Sequence, residues 1–69
     1  MKVFSPNALQ EIRKRSNLTQ KVLGKAVGAS ERGVIRWENG TFEPSATYLL
    51  RAMVLLGCAP EDLLADPQS

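Results

Sequence analysis

The sequence predicts an all-α fold of five short helices in one domain, and three observations carry that expectation. Helix-starting residues recur at helix-length intervals (Ser5-Pro6, Thr19, Ser30, Ser45, Pro60), and the last four runs are closed by Gly28, Gly40, Gly57 and Pro67 in turn. Between these marks the apolar residues return every three or four positions, the period of one helix face. No strand signal is longer than Met1–Phe4. With 69 residues the chain is a single domain over residues 1–69, small enough to bury only about 60% of its unfolded surface.

Each element follows from its boundary chemistry. The first helix is expected from about Pro6 to Arg15: Ser5 caps it, Pro6 suits its first position, Phe4 staples onto Leu9, and Ala8, Leu9 and Ile12 share one face. Thr19 caps the second helix, with Leu18 placed to staple onto Leu23, and Gly28 stops it. Ser30 caps the third, which ends at Gly40; Thr41–Pro44 is a loop. Ser45 caps the fourth, which ends near Gly57, and Pro60 starts a short fifth helix, with Glu61 and Asp62 at its positive end and Pro67 after it.

Composition excludes several kinds of chemistry. There is no histidine and Cys58 is the only cysteine, so no zinc site of the usual ligands, no disulfide and no thiol–imidazole nucleophile is expected. Nor is there a glycine-rich phosphate loop, so the expectation is no enzyme, no metal and no cofactor. One unpaired cysteine suits a reducing cytoplasm. MKVFSPN lacks the apolar run of a signal peptide, and the apolar stretch Tyr48–Leu56 is interrupted by Arg51 and too short to span a bilayer. Net charge is only +2, but it is polarised. Residues 1–38 carry eight basic and three acidic side chains; residues 39–69 carry Arg51 against four acids. A basic front half suggests a face for a polyanion, although an ordinary solvated surface gives the same count.

The segment from about Gln20 to Asn39, QKVLGKAVGASERGVIRWEN, is the most informative. Leu23, Val27, Val34 and Trp37 are its apolar positions, Ala29 lies in the turn, Gly24 is small where two helices must touch, and Gly28 ends the first of them. That spacing is what a helix-turn-helix requires, with the second helix free to enter a DNA major groove. If Val34 and Trp37 point inward, the opposite face shows Glu31, Arg32, Gly33, Ile35 and Arg36, with Asn39 at its end. Arginine reads guanine with two hydrogen bonds, glutamate accepts from the cytosine amino group, and an apolar side chain meets a thymine methyl. Gly33 would let the backbone approach closely, and an exposed Ile35 has no solvation rationale. Gln20, beside Lys21, opens the second helix where it could grip a phosphate. Arg13 and Glu38 could pair between the first and third helices, or be two unrelated surface charges.

Helix four carries a surplus. Leu49, Ala52, Met53 and Leu56 form one stripe, while Tyr48, Leu50, Val54 and Leu55 lie largely off it. A helix apolar nearly all round is covered on more than one side. A partner subunit would do this, through Leu50 and Val54 with Leu63 or Leu64 as neighbours; a fifth helix folding back is the alternative.

From about Leu9 to Leu64 the chain resembles the Cro and lambda-repressor type of helix-turn-helix domain, the XRE family. The resemblance lies in Leu18-Thr19-Gln20, Leu23-Gly24, Val27-Gly28-Ala29-Ser30, Val34, Arg36-Trp37-Glu38-Asn39-Gly40, Pro44-Ser45, Leu56-Gly57 and Glu61-Asp62-Leu63-Leu64. It implies a five-helix lambda-repressor-like fold and a double-stranded DNA partner. It further implies phosphate contact by Gln20, base contacts by Glu31, Arg32 and Arg36, a backbone contact by Asn39, and an ion pair between Arg13 and Glu38. One departure stands out: Phe42 and Glu43 occupy a loop where members often carry Lys or Arg, which weakens the case for a phosphate contact there.

Two functions remain in view. The first is a homodimeric repressor of a short inverted-repeat operator. The second is an antitoxin-like module whose main partner is another protein, with autorepression secondary. An antitoxin usually carries a toxin-neutralising segment, and the sequence holds almost nothing beyond the five helices, which favours the repressor.

Overall fold

Each helix begins on the hydroxyl the sequence supplies. In a computed structural model describing residues 1–67, Ser5, Thr19, Ser30 and Ser45 accept from the backbone N–H three residues on, at 3.2, 3.1, 3.1 and 3.4 Å. They open α1 (Pro6–Arg15), α2 (Gln20–Ala26), α3 (Glu31–Glu38) and α4 (Ala46–Leu56).

All four helices also close in one way. The N–H of Leu18, Ala29, Thr41 and Cys58 donates to the carbonyl five residues back, on Arg13, Gly24, Arg36 and Met53. The residue before each donor is left-handed: Asn17, Gly28, Gly40 and Gly57, with φ of 59°, 82°, 82° and 67°. This is the Schellman closure, and it satisfies carbonyls that a helix end otherwise leaves open.

The fifth helix is absent among the described residues. In its place Pro60–Leu63 makes a single 3-10 turn. The Asp62 carboxylate folds back to accept the Ala59 N–H at 2.8 Å, while the Asp62 N–H donates to the Ala59 carbonyl at 3.0 Å. The chain then straightens well before Pro67. β2 (Leu64–Ala65) pairs antiparallel with β1 (Val3–Phe4), in the register Val3 to Ala65 and Phe4 to Leu64. The Ser5 N–H extends the clasp by donating to the Leu63 carbonyl at 2.8 Å.

The clasp corrects a further expectation. Leu63, assigned above to a subunit interface, is fully buried in the core with Leu9, Leu23, Val27, Val34, Trp37 and Ala52. The tight turn drives its side chain inward against α1. Leu64 is half-buried in the strand pair. Tyr48 also leaves the surplus face, because its ring packs 5.5 Å from that of Trp37. What remains open on α4 is Leu50, Val54 and Leu55 at 58%, 84% and 44% exposure, adjoining Ala26 and Arg51 around a shallow apolar concavity. Among the described residues no helix is long and apolar enough to cross a membrane, and no cluster of metal-ligating side chains occurs.

Candidate nucleic-acid interface

The interface is built outward from a contact between α2 and the start of α3. A Cβ on Gly24 would lie 2.9 Å from the Glu31 amide nitrogen and closer still to the Ser30 carbonyl. Only glycine lets the two backbones meet here, and the crossing of the helices follows from it. Gly33 differs. A Cβ there would meet Ser30 Oγ at 3.6 Å, the Ala29 methyl at 3.8 Å and the Trp37 ring at 3.9 Å, all ordinary contacts. Packing therefore does not require glycine at position 33.

Val34 and Trp37 turn inward and are buried, as the spacing of the motif requires. Glu31, Arg32, Arg36 and Asn39 are exposed, and Gly33 is half-buried. Ile35 stands 39% exposed among them. One short helix therefore presents two guanidinium groups, a carboxylate and an isoleucine on a single face, a set of groups suited to base edges.

Behind this face Arg13 and Glu38 form a buried pair with side chains 9% and 2% exposed. Arg13 Nε donates to Glu38 Oε2 at 2.6 Å and Nη2 to Oε1 at 3.1 Å. The remaining nitrogen, Nη1, donates to the Leu18 carbonyl at 2.8 Å. One guanidinium thus ties α1 to α3 and to the entry of α2, and it takes Glu38 out of the charge seen by solvent. The exposed charges of the motif are then Lys21, Lys25, Arg32 and Arg36 against Glu31.

Three arrangements were not foreseen from the sequence. Gln20 is half-buried and its Nε2 donates to Glu38 Oε1 at 3.0 Å, so one of its two amide N–H bonds is committed inward and one remains for a ligand. Asn39 uses its side-chain oxygen on the Thr41 N–H at 2.9 Å and the Thr41 hydroxyl at 2.5 Å, which leaves its nitrogen to donate outward. Arg51, read above only as an interruption of an apolar run, donates from Nη1 to the Val27 carbonyl at 3.1 Å and caps the end of α2. No residue pattern announces Arg51; it acts from 24 positions away. Phe42, in the loop after α3, places its ring 5.5 Å from the Arg36 guanidinium carbon.

The comparisons with known proteins agree with this geometry. Residues 9–63 match the helix-turn-helix family. Over 52 residues the chain is 38% identical to repressor protein C2 of Salmonella phage P22. That stretch is 75% of this chain and 24% of the relative, so the chain spans about a quarter of the length of that protein. The P22 c2 repressor protein, solved in complex with synthetic operator 9T in the presence of Tl+, superposes with a TM-score of 0.81 at 31% identity, covering 88% of this chain and 92% of that one. The restriction-modification controller protein C.AhdI from Aeromonas hydrophila gives 0.78 at 26%, covering 84% and 88%. Hydroxypropylphosphonic acid epoxidase from S. wedmorenis gives 0.78 at 26%, but the match is 87% of this chain and 32% of the epoxidase. The family match over most of the residues, the shared sequence and the superpositions converge: the chain belongs to the helix-turn-helix family of the Cro and lambda-repressor type.

Proposed function

We propose that the chain is a sequence-specific DNA-binding transcriptional regulator, a homodimeric repressor that lays α3 in the major groove of a short inverted-repeat operator. The observation that carries this reading is the exposed face of α3, polar except for Ile35, on a frame held from behind by Arg13 and Glu38. The P22 c2 repressor, of similar fold, is recorded with a synthetic operator, which supports a DNA partner here.

In this reading Arg32 and Arg36 take guanine edges, Glu31 accepts from a cytosine amino group, and Ile35 meets a thymine methyl. The remaining Gln20 N–H, Lys21 and the Asn39 nitrogen hold the DNA backbone, which sets register without reading sequence. The role is one of binding, with no catalytic residue assigned. The second copy docks on Leu50, Val54 and Leu55, whose exposure is unexplained in a lone subunit. A single module of this size makes few contacts and binds weakly alone. A two-fold axis presents two reading helices to successive major grooves about 34–36 Å apart.

Selection of bound sequences from random duplex DNA tests the reading. The expected outcome is a palindromic consensus, with Arg36→Ala relaxing preference at one position of each half-site by about 1–3 kcal/mol. An Arg36→Ala protein with unchanged affinity and preference would remove α3 as the reading head. Sedimentation decides the assembly: Val54→Asp should convert a dimer to a monomer. A wild-type chain that stays monomeric on and off DNA would overturn the two-fold arrangement, and co-sedimentation of the patch with a different protein would favour the antitoxin-like alternative.

A further inference from the structure

We propose that Phe42 is a positioning residue for sequence readout: its ring holds the Arg36 guanidinium in the orientation that meets a base pair. This rests on the reading of α3 as the DNA-contacting helix and adds to it a residue outside that helix.

Phe42 is 56% exposed and lies outside the buried core, on the rim of a hollow it shares with Arg36, Trp37 and Tyr48. Hydration gives an exposed phenylalanine no advantage, and burial does not account for it either. What the ring does touch is Arg36, whose guanidinium carbon lies 5.5 Å from the ring centroid. That is within the range at which the negative face of an aromatic ring attracts a cation.

The backbone that carries the ring is anchored to Arg36 itself. The N–H groups of Thr41 and Phe42 both donate to the Arg36 carbonyl, at 3.0 and 3.3 Å. Gly40 turns the chain at a φ of 82°, and Asn39 holds Thr41 from the other side through its side-chain oxygen. The loop therefore hangs from the backbone of the residue whose side chain it covers. A shift of the end of α3 carries the Phe42 backbone with that of Arg36.

The arrangement matters because an arginine reads guanine only when its planar fork is correctly turned. A free arginine samples many rotamers and loses that freedom on binding. A stacked one has lost part of it beforehand, while the N–H groups along the edge of the fork stay open to a base. A lysine or arginine at position 42 would instead repel Arg36. The aromatic residue exchanges a possible phosphate contact for control over a base contact.

The test is binding selection from random duplex DNA with the wild type, Arg36→Ala, Phe42→Ala, Phe42→Leu, Phe42→Tyr and the Arg36→Ala/Phe42→Ala double variant. Thermal melts confirm that each is folded. Phe42→Ala and Phe42→Leu should reduce discrimination about two- to fivefold, at the base-pair position that Arg36→Ala relaxes and at no other. Phe42→Tyr, which keeps the ring face, should read like the wild type, and Phe42→Ala should add nothing once Arg36 is gone. In the free protein, Phe42→Leu should raise the mobility of the Arg36 side chain seen by NMR relaxation, a readout that needs no DNA. A wild type whose preference Arg36→Ala relaxes, with Phe42→Leu unchanged in both readouts, overturns the positioning role alone. Equal weakening at every position, or additive losses in the double variant, overturns it too. Arg36→Ala without effect overturns the reading of α3 and the positioning role with it.

Discussion

Removing Glu38 should cost a third or more of the stability of the fold, and the reason is what it would leave behind. The Glu38 carboxylate accepts three hydrogen bonds, two from Arg13 and one from Gln20. In Glu38→Ala the guanidinium, itself only 9% exposed, keeps just the Leu18 carbonyl as partner. Breaking a buried ion pair in this way costs about 3–5 kcal/mol, because a charge remains out of water without its counter-charge. At about 0.05–0.15 kcal/mol per residue, a domain of this length holds about 3.5–10 kcal/mol in all. The substitution therefore removes at least about a third of the stability. At about 4–8 °C per kcal/mol for domains of this size, the melting temperature falls by at least about 12 °C. Urea unfolding gives the first and a thermal melt the second, both followed by the fluorescence of Trp37, which is buried and precedes Glu38 in the chain. The companion variant is Arg13→Met with Glu38→Leu. With neither charge present it should return to within about 1 kcal/mol of the wild type, or exceed it. A Glu38→Ala protein within about 1 kcal/mol of the wild type would show the pair to be solvated, as surface pairs are, and would refute the account of how α1 holds α3. A double variant as unstable as the single one would trace the loss to shape rather than charge.

Three further outcomes are expected. Gly24→Ala should fail to fold or lose most of its circular-dichroism melt, while Gly33→Ala should melt at or above the wild-type temperature, helix propensity adding up to about 1 kcal/mol; equal effects at the two sites would contradict the contacts drawn for them. Binding to DNA should weaken with salt at a log–log slope of about −0.9 per phosphate neutralised, and a flat titration would point to a protein partner instead. The Cys58 thiol is pushed up from its ordinary pKa by partial burial and by the nearby Asp62 carboxylate; it therefore stays protonated to higher pH than a free thiol, and alkylation near pH 8 should run slower than in an unfolded cysteine peptide and speed up when Asp62 is changed to Asn.

How much of this was legible in the sequence depends on how local the cause was. Ser5, Thr19, Ser30 and Ser45 each act within three residues, and all four caps fall where the sequence places them. Gly28, Gly40 and Gly57 sit at the predicted helix ends for the same reason. The pairing of Arg13 with Glu38 was anticipated as one of two options, and helical period alone could not choose between them. What escaped was set by distant partners. Two-residue strands at opposite ends of the chain have no turn between them to signal their pairing. Pro60, Glu61 and Asp62 look like the opening of a helix, but the chain leaves after one turn because Phe4 offers Leu64 a partner. Leu63 was misassigned as a consequence. On α4 the period separated Leu50 and Val54 from the core correctly, yet placed Tyr48 with them, because the long reach of its ring to Trp37 is invisible to a count of positions.

The small clasp between β1 and β2 has a consequence for the order in which the protein assembles. Contacts between α2 and α3 join residues close in the chain and can form while the rest is still loose. Val3 finds Ala65 only after nearly the whole polypeptide has been gathered, and each doubling of the intervening loop adds about 0.6 kcal/mol of closure entropy. The clasp is therefore placed to form late and to open first. Because the Ser5 N–H and the Leu63 carbonyl are bonded to one another, opening it strains a residue of the central core from the rim. Native-state hydrogen exchange should find the Ser5 amide in a less protected group than those of α2 and α3. The protein would then fray from a seam opposite in kind to the α2–α3 pair: the exposed face of α3 rests on the most local part of the fold, and the last part to close is the one that joins residues far apart in the chain.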